Sequence, residues 1–299
     1  MAFGQYTNLD FDQIKTSIKD YLKSNDNFTD YDFEGSNLSI VLDALAYNTY
    51  ITAYNTNMAV NENFLDSATL RENVVALARN IGYVPRSRRA SKAKISFNVQ
   101  GLDSAVTLTL KAGLVVNGVA ENTNYIFSIP EDITVAVTNN IAFFNEIEVF
   151  EGLLLTQNFT VDASKANQRF ILPNSFIDTD SLRVKVKSSE SSSTTVNYTP
   201  IDNIIGITST SNTYLLQEIE DERYEIMFGD GIIGKKLANN NYVTASYLQT
   251  GGKSANGAAE FSFIGRLINQ DGAVVGGTNV SLVETVERSR DGDDIESIA

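Results

Sequence analysis

The sequence predicts an α+β protein, in which an N-terminal helical bundle arm is followed by antiparallel β-domains of the sandwich or small-barrel type. Up to about residue 88, apolar residues recur with the period of amphipathic helices. From Ile95 onward the period becomes two, and Gly and Asn separate the alternating runs. With 42% apolar and 20% charged residues over 299 positions, the chain is globular and long enough for more than one core.

The first helix is predicted within "DFDQIKTSIKDYLKS", residues 10–24. Asp10 and Gln13 have the spacing of a capping box at its start. The apolar side chains of this helix fall on one stripe, formed by Phe11, Ile14, Ile18, Tyr21 and Leu22.

The second helix, predicted over residues 37–64, carries two apolar faces. One face holds Leu38, Val41, Leu42 and Leu45, and the other holds Tyr47, Ile51, Tyr54 and Met58. A helix that lies on its own domain needs only one apolar face, and an apolar face left in water marks an interface. We therefore expect the arm to supply helices to an intermolecular bundle. The predicted contact residues are Phe11, Ile14, Ile18, Tyr47, Ile51, Tyr54 and Met58.

The third helix is predicted over residues 66–83 and is followed by a basic segment. Thr69 and Glu72 have the spacing of a cap pair, and Gly82 stands where a C′ residue belongs. After Pro85, "RSRRASKAK" contains basic residues and no acid. This segment is either a charged linker or a docking site for an acidic neighbour, because like charges repel unless something opposes them. We expect an acidic partner to face its arginines, Arg86, Arg88 and Arg89.

These patterns predict four regions along the chain. The helical arm covers residues 1–88, a first β-domain 89–157, and a second β-domain 158–290. Residues 291–299 are expected to begin a connector to a further region.

The stretch "FGDGIIGKK", residues 228–236, contains a G-x-G-x-x-G pattern. A dinucleotide site would need a buried parallel strand before it, a helix after it, and an acid about twenty residues further on. Here an alternating run precedes the glycines, a turn and a strand-like run follow them, and residues 235–259 contain no acid. We therefore predict a hairpin turn between two strands, with Gly229 and Gly231 at positive φ. The predicted turn residues are Gly229, Asp230, Gly231 and Gly234.

Composition excludes several chemistries. The chain has no Cys and no His, which removes thiolate nucleophiles, imidazole bases and imidazole-bound metals, and no cofactor is predicted. The net charge of −14 argues against nucleic-acid binding. No signal peptide and no apolar run of ~20 residues is present, so we expect a cytoplasmically made, soluble protein without membrane contact. Glu146, Glu148 and Glu151 leave a carboxylate glycosidase as an enzymatic alternative.

Two segments, residues 35–93 and 223–257, together resemble the baseplate wedge proteins of T4-like contractile-tailed phages, within the baseplate J-like family. The first contains "LDSATLRENVVALARNIGY", and the second contains "FGDGIIG" followed by a strand and "TGGKSANG". The resemblance implies a virion protein of the tail baseplate that is not an enzyme and binds no small-molecule substrate. It also implies a wedge that contains a second copy of this chain and a different subunit, joined through a helical bundle.

In such proteins, neighbouring wedges form a ring around the tail hub, a sheath-initiating protein docks there, and the ring rearranges on contraction. Members of this family are longer than this chain, and "DGDDIESIA" resembles the start of the helix before their C-terminal half. A glycan-recognising β-domain protein of a phage tail is the alternative from another functional class.

Overall fold

The computed structural model of the chain describes residues 7, 10–24, 37–103, 105–165, 168–201, 205–276 and 279–297. The chain divides into a helical unit up to Tyr83 and a β-unit over Val84–Ser297. Helices at the N-terminus followed by sheets confirm the predicted α+β class.

The helical unit contains α1 (Phe11–Lys23), α2 (Asn37–Asn61) and α3 (Arg71–Asn80). The side chain of Asp10 accepts a hydrogen bond from the Gln13 N–H at 3.1 Å, which confirms the predicted cap of α1. Helix α1 packs on α2 and buries Ile14. None of the helices in the described part of the chain is long and apolar enough to cross a membrane.

The start of α3 is stabilised by Glu62, which directly follows α2, and not by the predicted pair. Glu62 accepts hydrogen bonds from the Thr69 hydroxyl at 2.7 Å, the Thr69 N–H at 2.9 Å and the Asn73 amide at 2.8 Å. These bonds, the Thr69 hydroxyl first, lower the pKa of Glu62 to about 2. The cap pair of Thr69 with Glu72 was wrong, because Leu70 is the N-cap residue of α3 and its side chain makes no capping hydrogen bond. The predicted C′ glycine is confirmed, since Gly82 has a φ of 79° and donates to the Arg79 carbonyl.

The β-unit is built from strands connected by turns and short loops. They are β1 (Lys92–Val99), β2 (Thr107–Leu110), β3 (Gly113–Ala120), β4 (Thr123–Ile129), β5 (Ile133–Thr138), β6 (Ile141–Glu151), β7 (Leu153–Thr160), β8 (Phe170–Ile171), β9 (Ile177–Lys187), β10 (Thr195–Pro200), β11 (Thr213–Ile219), β12 (Arg223–Phe228), β13 (Tyr242–Gln249), β14 (Ala259–Phe263), β15 (Leu267–Asn269), β16 (Val274–Val275) and β17 (Glu284–Arg290).

Hydrogen bonding groups these strands into two sheets. The larger has the order β14-β3-β4-β6-β5-β2-β15-β16, with β1 on β6 and β17 on β1. The smaller has the order β7-β13-β9-β10-β11-β12-β8. Neighbouring strands are antiparallel apart from β10 and β11, which run parallel where Thr199 meets Thr213.

The chain returns to the larger sheet after β13, and this differs from the predicted division of the β-region at residue 157. Strands β14 to β17 were assigned to a second β-domain over residues 158–290, yet they hydrogen-bond in the sheet of β1 to β6. The alternation within a strand shows which face is buried but carries no information about the neighbouring strand.

Each sheet has its own apolar core. In the larger sheet the rings of Phe97 and Phe144 stack at 4.9 Å, and Phe127 meets Phe261 edge to face. The core of the smaller sheet contains the buried rings of Phe170, Tyr198, Tyr214, Tyr224 and Tyr247.

Candidate assembly surfaces

Helix α2 exposes several of its large apolar side chains, whereas most of its buried residues are small or polar. Its buried residues are Ser39, Leu42, Ala46, Asn57 and Asn61. The predicted face that contains Val41 and Leu45 is only partly covered, because these two side chains are 53% and 49% exposed. Sequence periodicity identified this face as apolar but did not reveal that the chain leaves much of it in water.

The predicted contact residues of the arm divide into three groups by exposure. Tyr47 and Tyr54 are exposed, at 60% and 47% of their surface. Ile14 is buried against α2, so it packs within this chain. The half-buried residues are Phe11, Ile18, Ile51 and Met58.

The exposed surface of α2 is also poor in charge. Asp43 is the single charged residue of its sequence, and it forms an ion pair with Lys15 of α1. A helix surface facing water normally carries charged side chains opposite its apolar stripe. The exposed surface of α2 is therefore more apolar than that of an ordinary solvent-facing helix.

The basic segment lies against acidic residues of the β-unit, two of which are near its end. Arg86 forms an ion pair with Asp293 at 2.8 Å, and Arg88 lies 3.6 Å from both Glu222 and Asp294. Arg89 is 3.6 Å from Asp180. The positive charge of this segment is thus opposed by acids of the same chain, and an acidic partner facing these arginines stays a prediction.

Backbone hydrogen bonds also join the start of the basic segment to the residues near the end of the β-unit. We call this paired region, residues 86–89 with 293–296, the clasp. Arg89 and Asp293 exchange two backbone hydrogen bonds of 3.0 Å. The Glu296 N–H donates to the Arg86 carbonyl at 3.0 Å, and the Glu296 carboxylate accepts from the Arg86 N–H at 2.8 Å. The sequence did not predict this pairing, because its two halves lie more than two hundred positions apart.

The glycine turn, residues 229–234, follows β12 but does not form a hairpin with the next strand. Strands β12 and β13 are separated in the sheet by β9, β10 and β11, so the predicted hairpin was wrong. An Asp-Gly pair favours a tight turn locally, whereas the strand that the chain joins afterwards is set by tertiary packing. The arrangement of a dinucleotide site is absent too, since β12 pairs antiparallel with β11 and β8 and the chain continues into β13.

The glycines of this turn have two different physical roles. Gly231 and Gly234 have positive φ values of 94° and 79°. Gly229 lies outside that region, contrary to the prediction, but a Cβ at Gly229 would stand 2.2 Å from the Gly234 carbonyl carbon. Gly229 is therefore required by the close approach of two backbone segments.

We expect Gly229→Ala to lower the free energy of unfolding more than Gly231→Ala. The added Cβ at Gly229 overlaps backbone, whereas at Gly231 the nearest atom is the Lys236 Cβ at 3.6 Å and the cost is mainly that of positive φ, about 1 kcal/mol. Urea unfolding of the full chain measures both. Equal losses for the two variants would contradict the assigned role of Gly229.

A buried carboxylate lies where the chain passes between the two sheets. Glu151 is the last residue of β6, after which the chain passes from the larger sheet to β7 of the smaller sheet. Thr250 and Gly251 follow β13, where the chain starts back towards the larger sheet. The Glu151 carboxylate accepts hydrogen bonds from the Thr250 hydroxyl at 2.5 Å and the Gly251 N–H at 3.0 Å. Burial raises the pKa of Glu151 above its ordinary value, although these two bonds act in the opposite direction.

The structure does not support the three glutamates as a catalytic set. Glu146 and Glu148 are exposed along β6. Glu151 is only 8% exposed, and its carboxylate is hydrogen-bonded to Thr250 and Gly251. Within the described ranges, no group of three Asp, Glu, His or Cys residues is arranged to hold a metal ion.

The helical unit has a helix with several exposed apolar side chains, which is typical of subunits that assemble with other proteins. Comparison with known proteins gives the same class. Residues 10–83 match the family described as baseplate wedge protein gp6-like, helical domain. Over 277 residues the chain is 29% identical to the baseplate wedge protein gp6 of Enterobacteria phage T4.

That alignment covers 87% of this chain and 41% of the T4 protein, so the chain spans less than half the length of this relative. Both matches confirm the resemblance seen in the sequence. They support a baseplate wedge protein, a structural component of a phage virion located in the tail baseplate.

Proposed function

We propose that this chain assembles with a second copy of itself and with a different wedge subunit through the helices of its arm. Neighbouring wedges then join into a ring around the tail hub, where a sheath-initiating protein docks, and the ring rearranges when the tail contracts. In this proposal the chain has no catalytic activity and no cofactor, and it is assembled in the host cytoplasm before it enters the virion.

The observation that carries this proposal is the surface of α2. Tyr47 and Tyr54 share one side of the helix with the exposed Ile40, and Val41 and Leu45 are exposed elsewhere on the same helix. Covering such side chains is favourable by roughly 25 cal/mol per Å² of apolar surface removed from water. Helices of partner chains provide the complementary apolar surface by packing ridges into grooves.

The mass of the assembled particle tests the proposal. The full chain is produced together with the other wedge subunits of its phage, and native mass spectrometry counts the copies in each complex. We expect two copies of this chain with a different subunit. A complex with a single copy, or a chain that stays monomeric beside its co-produced subunits, would overturn the stoichiometry.

The basic segment is expected to contribute to assembly as well as to the clasp. Arg86→Glu combined with Arg89→Glu should weaken assembly more at low salt than at high salt, because salt screens exposed charges. Unfolding of the isolated double variant measures the part that comes from the clasp. A loss of assembly that is independent of salt and matched by a loss of stability would assign these arginines to the fold alone.

A further inference from the structure

The glycine turn presents two adjacent isoleucines to water. Ile232 is 77% exposed and Ile233 46% exposed. Single exposed aliphatic side chains are ordinary on protein surfaces. Two adjacent exposed isoleucines within one turn are less common, and the residues around them indicate a function for the pair.

Hydrogen bonds fix the shape of this turn. The Asp230 carboxylate accepts from the Ile232 N–H at 2.8 Å and from the Ile233 N–H at 3.0 Å. The Gly231 N–H donates to the Gly234 carbonyl at 3.1 Å, which closes the loop. The backbone that carries both isoleucines is therefore ordered before anything binds to it.

The end of the turn is anchored to a neighbouring loop. The Gly234 N–H donates to the Thr208 carbonyl at 3.1 Å, and the Lys235 N–H donates to the Ser211 carbonyl at 2.8 Å. A rigid turn would be expected in a hairpin, where it sets the register of two strands, but β12 and β13 are not paired. A protruding apolar turn that is already ordered loses little conformational entropy when a partner covers it.

The charges beside the isoleucines indicate which surface fits them. Lys235 and Lys236 follow directly and are exposed, in a chain whose net charge is −14. The carboxylate of Asp230 is engaged by the two N–H groups of the turn, which lower its pKa. The complementary surface is an apolar pocket with carboxylates on the side that meets the lysines.

We propose that Ile232 and Ile233 anchor this chain to another baseplate protein by inserting into an apolar pocket rimmed by carboxylates. This inference rests on the proposed function, since it concerns a second contact of the same assembly. The glycine turn then has a role in docking, which accounts for its fixed shape although β12 and β13 are not paired.

The test uses the full chain produced with the other wedge and baseplate subunits of its phage. The turn variant is Ile232→Ser with Ile233→Ser, and the matched control is Val106→Ser with Val274→Ser, two valines that are 69% and 62% exposed elsewhere in the β-unit. We expect all chains to unfold at the same denaturant concentration. The turn variant should lose affinity for the assembly by about tenfold or more, since its buried apolar contacts are removed, while the control retains it.

A second variant, Lys235→Glu with Lys236→Glu, tests the charge complementarity with the isoleucines in place. It should weaken the same association severalfold at low salt and less at high salt. Wild-type assembly together with full assembly of the turn variant would overturn this inference and leave the proposed function standing. Failure of the wild-type chain to assemble would instead overturn the proposed function and the inference that rests on it.

Discussion

Replacing Tyr47 and Tyr54 by serine is expected to prevent assembly of this chain while leaving its β-unit folded. Both side chains are exposed and lie seven residues apart, on one face of α2. Serine and tyrosine have similar helix propensities, so the helix itself should persist. Fully burying each aromatic side chain contributes roughly 1.5–3 kcal/mol as an upper bound, and about half of each is exposed here, so losing both should lower the affinity by roughly ten- to a hundredfold.

The matched control is Thr49→Ser with Thr56→Ser, which introduces the same residue at the same spacing on another side of α2. Co-production with the other wedge subunits, followed by sedimentation of the full chain, measures assembly for both variants. We expect the control to sediment with the complex and the tyrosine variant to sediment as the free chain. Normal incorporation of the tyrosine variant would place the bundle contact elsewhere.

Glu151→Ala is expected to cause a large loss of stability of the β-unit. The change leaves the Thr250 hydroxyl without its acceptor at a buried site, and the Gly251 N–H without its acceptor at a partly buried one. Each buried donor left without a partner costs about 1–3 kcal/mol, and the vacated volume adds to this. Urea unfolding should therefore show a free energy of unfolding lower by roughly 3–5 kcal/mol.

Glu151→Gln keeps the size of the side chain and an acceptor oxygen, and it reports the role of the charge. Because burial raises the pKa of Glu151 in the folded chain, the folded state binds its proton more tightly than the unfolded state does. The contribution of Glu151 to stability therefore falls as pH rises from the unfolded pKa, about 4.3, through the raised folded pKa. The difference in stability between wild type and Gln variant should change in that interval, and a constant difference would contradict the shift.

Local features of this fold were predictable, since their causes lie within a few residues. The cap of α1 by Asp10 and the C′ position of Gly82 follow from side-chain and backbone preferences at one helix end. The alternation of β1 and β13 between buried and half-buried residues likewise follows from a strand with one face on a core.

Features that depend on distant parts of the chain were not predictable from the same patterns. The return of β14 to β17 to the first sheet, and the parallel pairing of β10 with β11, are set by packing and by the path of the connections. Among the candidate surfaces, periodicity identified the apolar faces of the arm. It could not show that Glu62 would hold Thr69, or that the acids near residue 293 would meet the arginines near residue 86.

The clasp determines how the β-unit responds to a mechanical pull on its two ends. The chain enters at Arg86 and leaves at Glu296, and these residues are hydrogen-bonded to one another. Tension applied to the chain on either side of the β-unit would therefore act at one end of an antiparallel pair and break its hydrogen bonds one after another. Opening the clasp lengthens the connection by a few residues, and the load then reaches β9, because Ser87 is hydrogen-bonded to Thr179 and Ala90 to Asp178.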